Sequence, residues 1–279
     1  AILYRILGPD EKGTRNTDSH LEHLEFILKN ETNLPRLEKR WILTRITDSK
    51  HREGITSLLS QYDQIWSEID FKQSEYSLCW TDIGAVPPDL HPWDPGFIRK
   101  TSVLQSQILD YVGRNKSLYL FNTNEALNQA LSKGLHDAAW VFAWHGLYFL
   151  TPEAWTVINK MLDIPGLCYI AVPTTPARNT KGLTQALLNQ PPIHTGKLAL
   201  GISREAQAIH YQTRRQTAGC ESSLLIRLGL ISNELDGVDQ SCEWETIPTT
   251  LNGDRGHLIQ AGWAYRLESS SLSTLQERR

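Results

Sequence analysis

The stretch FNTNEALNQALSKGLHDAAWVFAWHGLYFLTPEAW, Phe121 to Trp155, decides how this chain folds. From Asn124 to Leu135 it carries Leu127, Ala130, Leu131 and Leu135 at helical spacing, and Gly134 is placed to end that helix and turn the chain. Ala138 to Trp144 is a continuous apolar run, the pattern of a central strand covered on both faces. The run stops at His145-Gly146. Thr151-Pro152-Glu153 then opens a new helix, with Thr151 as N-cap, Pro152 at the first helical position and Glu153 at the positive end of the dipole. In an open α/β sheet ligands collect at the carboxyl ends of the strands, so Trp144, His145 and Gly146 mark a place for chemistry.

Working outward, the start of the chain follows the same plan. Ile2 to Gly8 reads as a short apolar strand, followed by a polar loop from Glu11 to Ser19 and an amphipathic helix from about His20 to Lys29. A second strand spans Arg40 to Ile46, and a helix near His51 to Gln61 follows it. Strand, helix, strand, helix predicts a mostly parallel sheet with helices on both faces, a GT-A/Rossmann-like α/β fold. Arg5, Asp10 and Arg45 fall at or near strand ends, where each is a candidate for phosphate, tRNA or substrate contact, or for an ordinary strand-flanking ion pair. Ser117 to Phe121 is expected as a short strand, and further strands are expected at Leu167 to Pro173 and Lys197 to Ile202.

The pattern Asn122, Asn124, Ala126, Asn128, Ala130 followed by an apolar strand resembles the GT-A glycosyltransferases. That resemblance implies that Asn122, Asn124 and Asn128 face a nucleotide donor. Where the family pattern ends its strand in two aspartates around one residue, this chain has Trp144-His145-Gly146-Leu147-Tyr148. The hard oxygen ligands that magnesium or manganese prefers are absent from that position, so the reading assigns no metal and no cofactor.

Composition sets the outer bounds. At 279 residues, with 40% hydrophobic and 21% charged, the chain is expected to be one large α/β domain over 1–279, with a long loop excursion at about 70–100 and an appendage from about 236. There is no run of apolar residues long enough to span a membrane and no signal-peptide pattern at the given start. The four cysteines lack any Cys-x-x-Cys spacing, which favours a reducing, cytoplasmic setting. The formal charge of −3 predicts no wholesale nucleic-acid binding by field alone. Within the excursion, Glu75, Asp82, Asp89, His91 and Asp94 are candidate site groups weighed against ordinary solvated loop charges. Later basic residues, Arg178 and then His210, Tyr211, Arg214 and Arg215, are candidates for phosphate, because guanidinium groups bind phosphate bidentately and stack on rings.

No Gly-x-Ser-x-Gly elbow, Walker loop, His-Glu-x-x-His or dinucleotide glycine fingerprint is present. His145 is therefore the leading general base, with Asp82 beside it as a catalytic candidate. The segments ILYRILG, EKRWILTRI and the Tyr-x-x-Arg-Arg run are similar to a fungal family of arginine-containing cyclodipeptide synthases. That similarity implies a transferase that takes aminoacyl-tRNA as substrate and joins arginine to a second amino acid as a diketopiperazine. An amine would attack an activated ester without metal, with Asp10, Glu75 and Trp144 at the substrate and the basic residues on the tRNA backbone. The alternatives are a metal-independent GT-A glycosyltransferase with a nucleotide-sugar donor, and a degenerate, non-catalytic transferase domain.

Overall fold

The elements follow from which residues can hide an apolar face. The computed structural model describes residues 1–9, 17–79, 83–121, 123–177, 198–206 and 257–267. Strands β1 (Ile2–Leu7), β2 (Glu38–Thr44) and β3 (Ile65–Ile69) alternate with helices α1 (Thr17–Asn30) and α2 (Ser49–Gln61). A short helix α3 (Gln73–Leu78), three single 3-10 turns and the long helix α4 (Ser102–Phe121) follow. Helix α5 (Asn124–Asp137) leads into β4 (Trp140–His145), β5 (Tyr148–Phe149), helix α6 (Pro152–Met161) and β6 (Leu167–Ala177). Strands β7 (Leu198–Ser203), β8 (His257–Gln260) and β9 (Ala264–Leu267) complete the described elements.

Among the described residues these strands form one sheet in the order β3-β2-β1-β4-β7-β6-β9-β5, with β8 also on β6. The pairs β3/β2, β2/β1 and β1/β4 are parallel, β7 is antiparallel to both β4 and β6, and β8 and β9 run parallel to β6. This is the expected GT-A/Rossmann-like α/β architecture with a mostly parallel sheet.

Strand side chains alternate, so β1 divides its residues between two layers. Ile2, Tyr4 and Ile6 pack with Ala126, Leu127, Ala130 and Leu131 of α5 on one face. Leu3 lies with Trp155 and Ile158 of α6 on the other, and Leu7 packs there with Leu24 and Ile27 of α1 and with Ile55 and Leu59 of α2. Helices therefore cover both faces. Capping agrees with the sequence at α6, where Thr151 accepts from the N–H of Ala154 and Pro152 opens the helix.

Two local expectations are corrected. Ser117–Phe121 is not a strand but the end of the 20-residue helix α4, because no proline falls between Ser102 and Phe121 to stop the helix. Gly134 does not end α5, which continues to Asp137. Its lack of a side chain serves packing instead: a Cβ there would lie 2.6 Å from Val141 and 2.9 Å from Tyr4.

Arg5 points into the same layer as Leu3 and Leu7 and is fully buried. Its Nη2 donates to Glu31 Oε2 at 2.5 Å, its Nε donates to the Tyr148 carbonyl at 3.0 Å, and its guanidinium lies 5.2 Å from the centre of the Trp41 ring. Glu31 also accepts from the N–H of Leu150 and faces Lys39 at 3.2 Å. One ion pair thus fastens β1, the segment after α1 and the turns around β5. Removing one partner would strand the other charge in the core. Glu31→Ala should lower the unfolding free energy by about 3–5 kcal/mol in urea denaturation, whereas an apolar replacement of both Arg5 and Glu31 should cost distinctly less. A single-variant loss no larger than that of an exposed ion pair would contradict this role.

Candidate functional site

The strand order reverses at β1: β2 and β3 lie to one side and β4 to the other. A doubly wound sheet opens a crevice at such a point, at the carboxyl ends of the strands. Gly8 follows β1 there, Arg45 follows β2, and His145 ends β4. Helix α5 runs back from this edge, so its N-terminus, with the positive partial charge of the helix dipole, faces the same crevice. Thr123, Asn124 and Glu125 begin that helix, with Thr123 as the N-cap residue.

Distances place these groups together. A methyl added to Gly8 would stand 3.5 Å from the Thr44 methyl and 4.0 Å from that of Thr123. Thr44 is buried and its hydroxyl has no hydrogen-bond partner among the described residues. Arg45 has a left-handed backbone, φ 47°, a conformation that costs a non-glycine residue about 1–3 kcal/mol and gathers at functional positions. Its N–H is held by the carbonyl of Ile69 at 2.8 Å. The guanidinium lies 4.2 Å from the centre of the Tyr119 ring, and Nη2 donates to Glu125 Oε2 at 2.5 Å. Arg45 Nε is buried without a partner among the described residues. Burial works against the charge of Arg45, and the bonds to Glu125 and Tyr119 outweigh it, keeping the pKa above the ordinary arginine value.

Tyr119 carries the arrangement outward. Its hydroxyl donates to Glu75 Oε2 at 3.1 Å and accepts from the N–H of Lys72 at 3.0 Å. Lys72 Nζ donates to Glu75 Oε1 at 2.9 Å. The Lys72 ammonium, and after it the Tyr119 hydroxyl, hold the Glu75 carboxyl below the usual carboxylate range. Phe71 and Tyr76 pack against Tyr119 with ring centroids 6.0 Å away. The crevice therefore offers an unsatisfied N–H and hydroxyl, a helix N-terminus and a partly exposed aromatic wall, a set able to hold a phosphorylated, ring-bearing ligand.

The sequence candidates divide accordingly. Arg45, Glu75 and the start of α5 with Asn124 come to one edge, and Asn128 lies one turn further along the same helix, half-buried. Arg5 is corrected: its charge is consumed by Glu31 under α1 and is not presented at a strand end to phosphate or tRNA. Trp144 is corrected as a substrate contact, because it is fully buried, donates its indole N–H to the Leu200 carbonyl at 3.2 Å and packs edge-on to Phe142 and Tyr148. His145 is described only by its backbone. Asp10, Asp82, Asn122, Arg178, His210, Tyr211, Arg214 and Arg215 lie outside the described residues. Thr44, Tyr119 and Lys72 were not singled out by sequence. The strand-end rule that marked Arg45 applies equally to Thr44, whereas Tyr119 was hidden by the assignment of its segment to a strand.

A divalent cation of the kind GT-A enzymes use is not matched at the end of β4. Trp144, Leu147 and Tyr148 there are buried ring and aliphatic groups, and none offers the carboxylate oxygens a hard cation takes. Among the described residues no group of three His, Cys, Asp or Glu side chains could hold a metal ion, and no helix is long and apolar enough to cross a membrane.

No protein-family model matches the chain, and no curated protein does. Solved structures with a similar course include a Pyrobaculum calidifontis mannosyltransferase in complex with GDP-Man and Mn2+, at TM-score 0.39 and 13% identity over 99% of this chain and 59% of that one. Staphylococcus aureus TarS 1-349 in complex with UDP gives TM-score 0.44 and 11% identity, covering 95% of this chain and 60% of that one. Mouse xyloside xylosyltransferase 1 in its apo form gives 0.35 and 11%, covering 87% and 75%. The chain thus spans about three fifths of the mannosyltransferase and TarS structures. At these scores the likeness carries no argument, and the chemistry rests on this chain's own residues.

The outer contacts can be checked by titration. Glu75 should ionise below the ordinary carboxylate range in NMR pH titration, and Lys72→Ala should move its titration upward. An unchanged Glu75 titration in that variant would separate the two groups in solution.

Proposed function

We propose that the chain is a transferase of the GT-A type that binds a nucleotide-sugar donor in the crevice between β1 and β4 and transfers the sugar without a divalent cation. The observation that carries the reading is Arg45. A strained, largely buried arginine with an unpartnered Nε stands beside an unpartnered Thr44 hydroxyl, where the strand order reverses and α5 begins. In glycosyl transfer an acceptor hydroxyl attacks the anomeric carbon as the bond from that carbon to the phosphate oxygen breaks. Negative charge grows on the departing diphosphate, and fixed cations and backbone N–H groups can stabilise it in place of a metal. In this reading the α5 N-terminus and the Nε–H of Arg45, the side of the guanidinium that the exposed Glu125 does not take, supply part of that field, and the basic run with His210, Arg214 and Arg215 supplies the rest. Asn124, with Asn122, orients the nucleoside, and His145 or Asp82 takes the acceptor proton.

One observation favours a second reading. Glu75 places a carboxylate at the outer edge of the same crevice, where a substrate guanidinium would find a partner. That suits aminoacyl-tRNA-dependent cyclodipeptide synthesis from arginine: the amine of one aminoacyl group attacks the ester carbonyl of the other and the first tRNA hydroxyl leaves, then the free amine of the dipeptidyl ester attacks the remaining ester carbonyl, closing the ring as the second tRNA hydroxyl leaves.

Calorimetry with UDP and GDP, followed by mass analysis of products formed from charged tRNAs, separates the two. The first reading expects a nucleoside diphosphate to bind and Arg45→Ala to weaken it by about 1.5–3 kcal/mol, the range for a hydrogen bond to a charged group. A cyclic dipeptide whose formation RNase abolishes, with no nucleoside diphosphate bound, would overturn it in favour of the second.

A further inference from the structure

A second cavity lies at the opposite end of the sheet from the crevice. It has a volume of about 400 Å³ and is bounded by the first residues of β2, the 62–64 turn that enters β3, and the segment after α1. That volume falls within the range of small-molecule sites. Arg5, Glu31, Lys39 and Trp41 line it from within the fold, and Asn33, Asp63 and Gln64 also border it.

The interior groups are incompletely matched by the protein. Glu31 is buried, and the group that faces its Oε1 is the Lys39 ammonium at 3.2 Å. Lys39 donates to the carbonyls of Glu31 and Thr32, at 3.3 and 2.8 Å, which leaves one N–H for Oε1, an oxygen with a second lone pair to spare. Arg5 donates through Nε to Tyr148 and through Nη2 to Glu31, and its guanidinium has no further acceptor among the described residues. Trp41 gives its indole N–H to Gln64 Oε1 at 3.1 Å, leaving an apolar ring as one wall. A buried carboxylate oxygen that can accept once more and a buried guanidinium that uses two of its five N–H groups therefore line one cavity.

The charges choose the ligand class. An anion would meet Glu31, Glu38 and Asp63, whereas a cation would meet Arg5 and Lys39. Glu38 is already paired with Arg40 at 2.7 Å, so Arg5 and Lys39 stand against Glu31 and Asp63, and neither an anion nor a cation would find a surplus of the opposite sign. A hydroxyl donates and accepts at once, so it can satisfy Glu31 Oε1 and the Arg5 N–H groups without bringing charge into the fold. An indole wall suits the C–H face of a sugar ring. We infer that this cavity is a binding site for a neutral, hydroxyl-rich ring such as a hexose, separate from the transferase crevice.

The test uses D-glucose, D-mannose and N-acetyl-D-glucosamine as probes, with acetate and ethanolamine as charged controls, in saturation-transfer NMR on the full chain. Asn33 is exposed at the cavity border, so Asn33→Trp should obstruct the opening without disturbing the core. At least one neutral hexose should bind the unaltered protein, bind about tenfold or more weakly to Asn33→Trp, and bind normally to Arg45→Ala. If Asn33→Trp does not fold, Asn33→Arg obstructs the same opening and is read in the same way. The inference is overturned if no neutral hexose binds, if only a charged probe binds, or if hexose binding survives the Asn33 variants. Loss in Arg45→Ala alone would assign the hexose to the crevice, overturning this site while supporting the sugar-transfer reading.

Discussion

The buried pair of Arg5 and Glu31 is the constraint on which the arrangement of layers depends. Desolvating both charges costs several kcal/mol, and their attraction offsets this only because the geometry is close and further bonds satisfy the same groups. Arg5 reaches from the central strand to the segment after α1 and to the Tyr148 carbonyl, while Glu31 reaches on to the Leu150 N–H. Parts of the chain more than a hundred residues apart are thereby fixed to one register. An apolar core could slide by a rotamer, but a paired charge has few places to go. The carboxyl ends of β1 and β4 lie side by side partly because the turn after β4 is tied to β1 in this way.

The crevice works by the opposite logic. At the edge between β1, β2 and α5, as at Tyr169 and Asn159 elsewhere, the chain's own matching of buried polar atoms stops short among the described residues. Thr44 and Arg45 each leave a buried polar atom without a partner, and Arg45 does so from a left-handed backbone. Each feature costs stability. The neighbours hold it in place: Ile69 takes the Arg45 N–H, Glu125 takes one guanidinium nitrogen, and Tyr119 underlies the cation. Such a group is preorganised, because its position is fixed before any ligand arrives, and a charge developing there meets donors that need not reorient.

Much of this fold was legible in the amino-acid sequence because burial imposes period. The runs of β1, β2 and β4, the Leu127–Leu131 stripe of α5 and the Thr151-Pro152 start of α6 all come from elements with a face to hide. Strand β3 was not legible: as an edge strand it keeps Ile65 and Trp66 exposed and mixes them with Ser67 and Glu68, so it shows neither an apolar run nor clean alternation. The end of α4 misled for a related reason. Ser117–Phe121 is apolar and aromatic over a length at which helix and strand cannot be told apart by period. The strand-end rule led to Arg45 at the candidate crevice but also to Arg5 and Trp144, while Glu75 and Asn124, which come to the same edge, were read from the loop excursion and the helix pattern. Distinguishing an inward residue from a strand-end one needs the register, and Arg5 lies opposite Trp41 and Trp144, well inside the ladder.

The end of β4 shows why the difference from a metal-binding strand end is more than a missing pair of side chains. Trp144 is wedged among Phe142, Tyr148 and the Leu200 carbonyl, and Leu147 and Tyr148 continue the apolar surface toward Phe149. A carboxylate introduced at Trp144 would lose that packing, leave the Leu200 carbonyl without its indole donor and enter a region with no water to solvate it. The aromatic groups thus stabilise the same turn that a cation would hold together elsewhere. In the proposed sugar-transfer reading, charge compensation for a diphosphate comes from the other side of the crevice, from the α5 N-terminus and the Nε–H of Arg45. In that reading the packing of one strand end and the strain at another are two parts of a single arrangement: the first leaves no hard ligand at Trp144, Leu147 and Tyr148, and the second holds a donor in place.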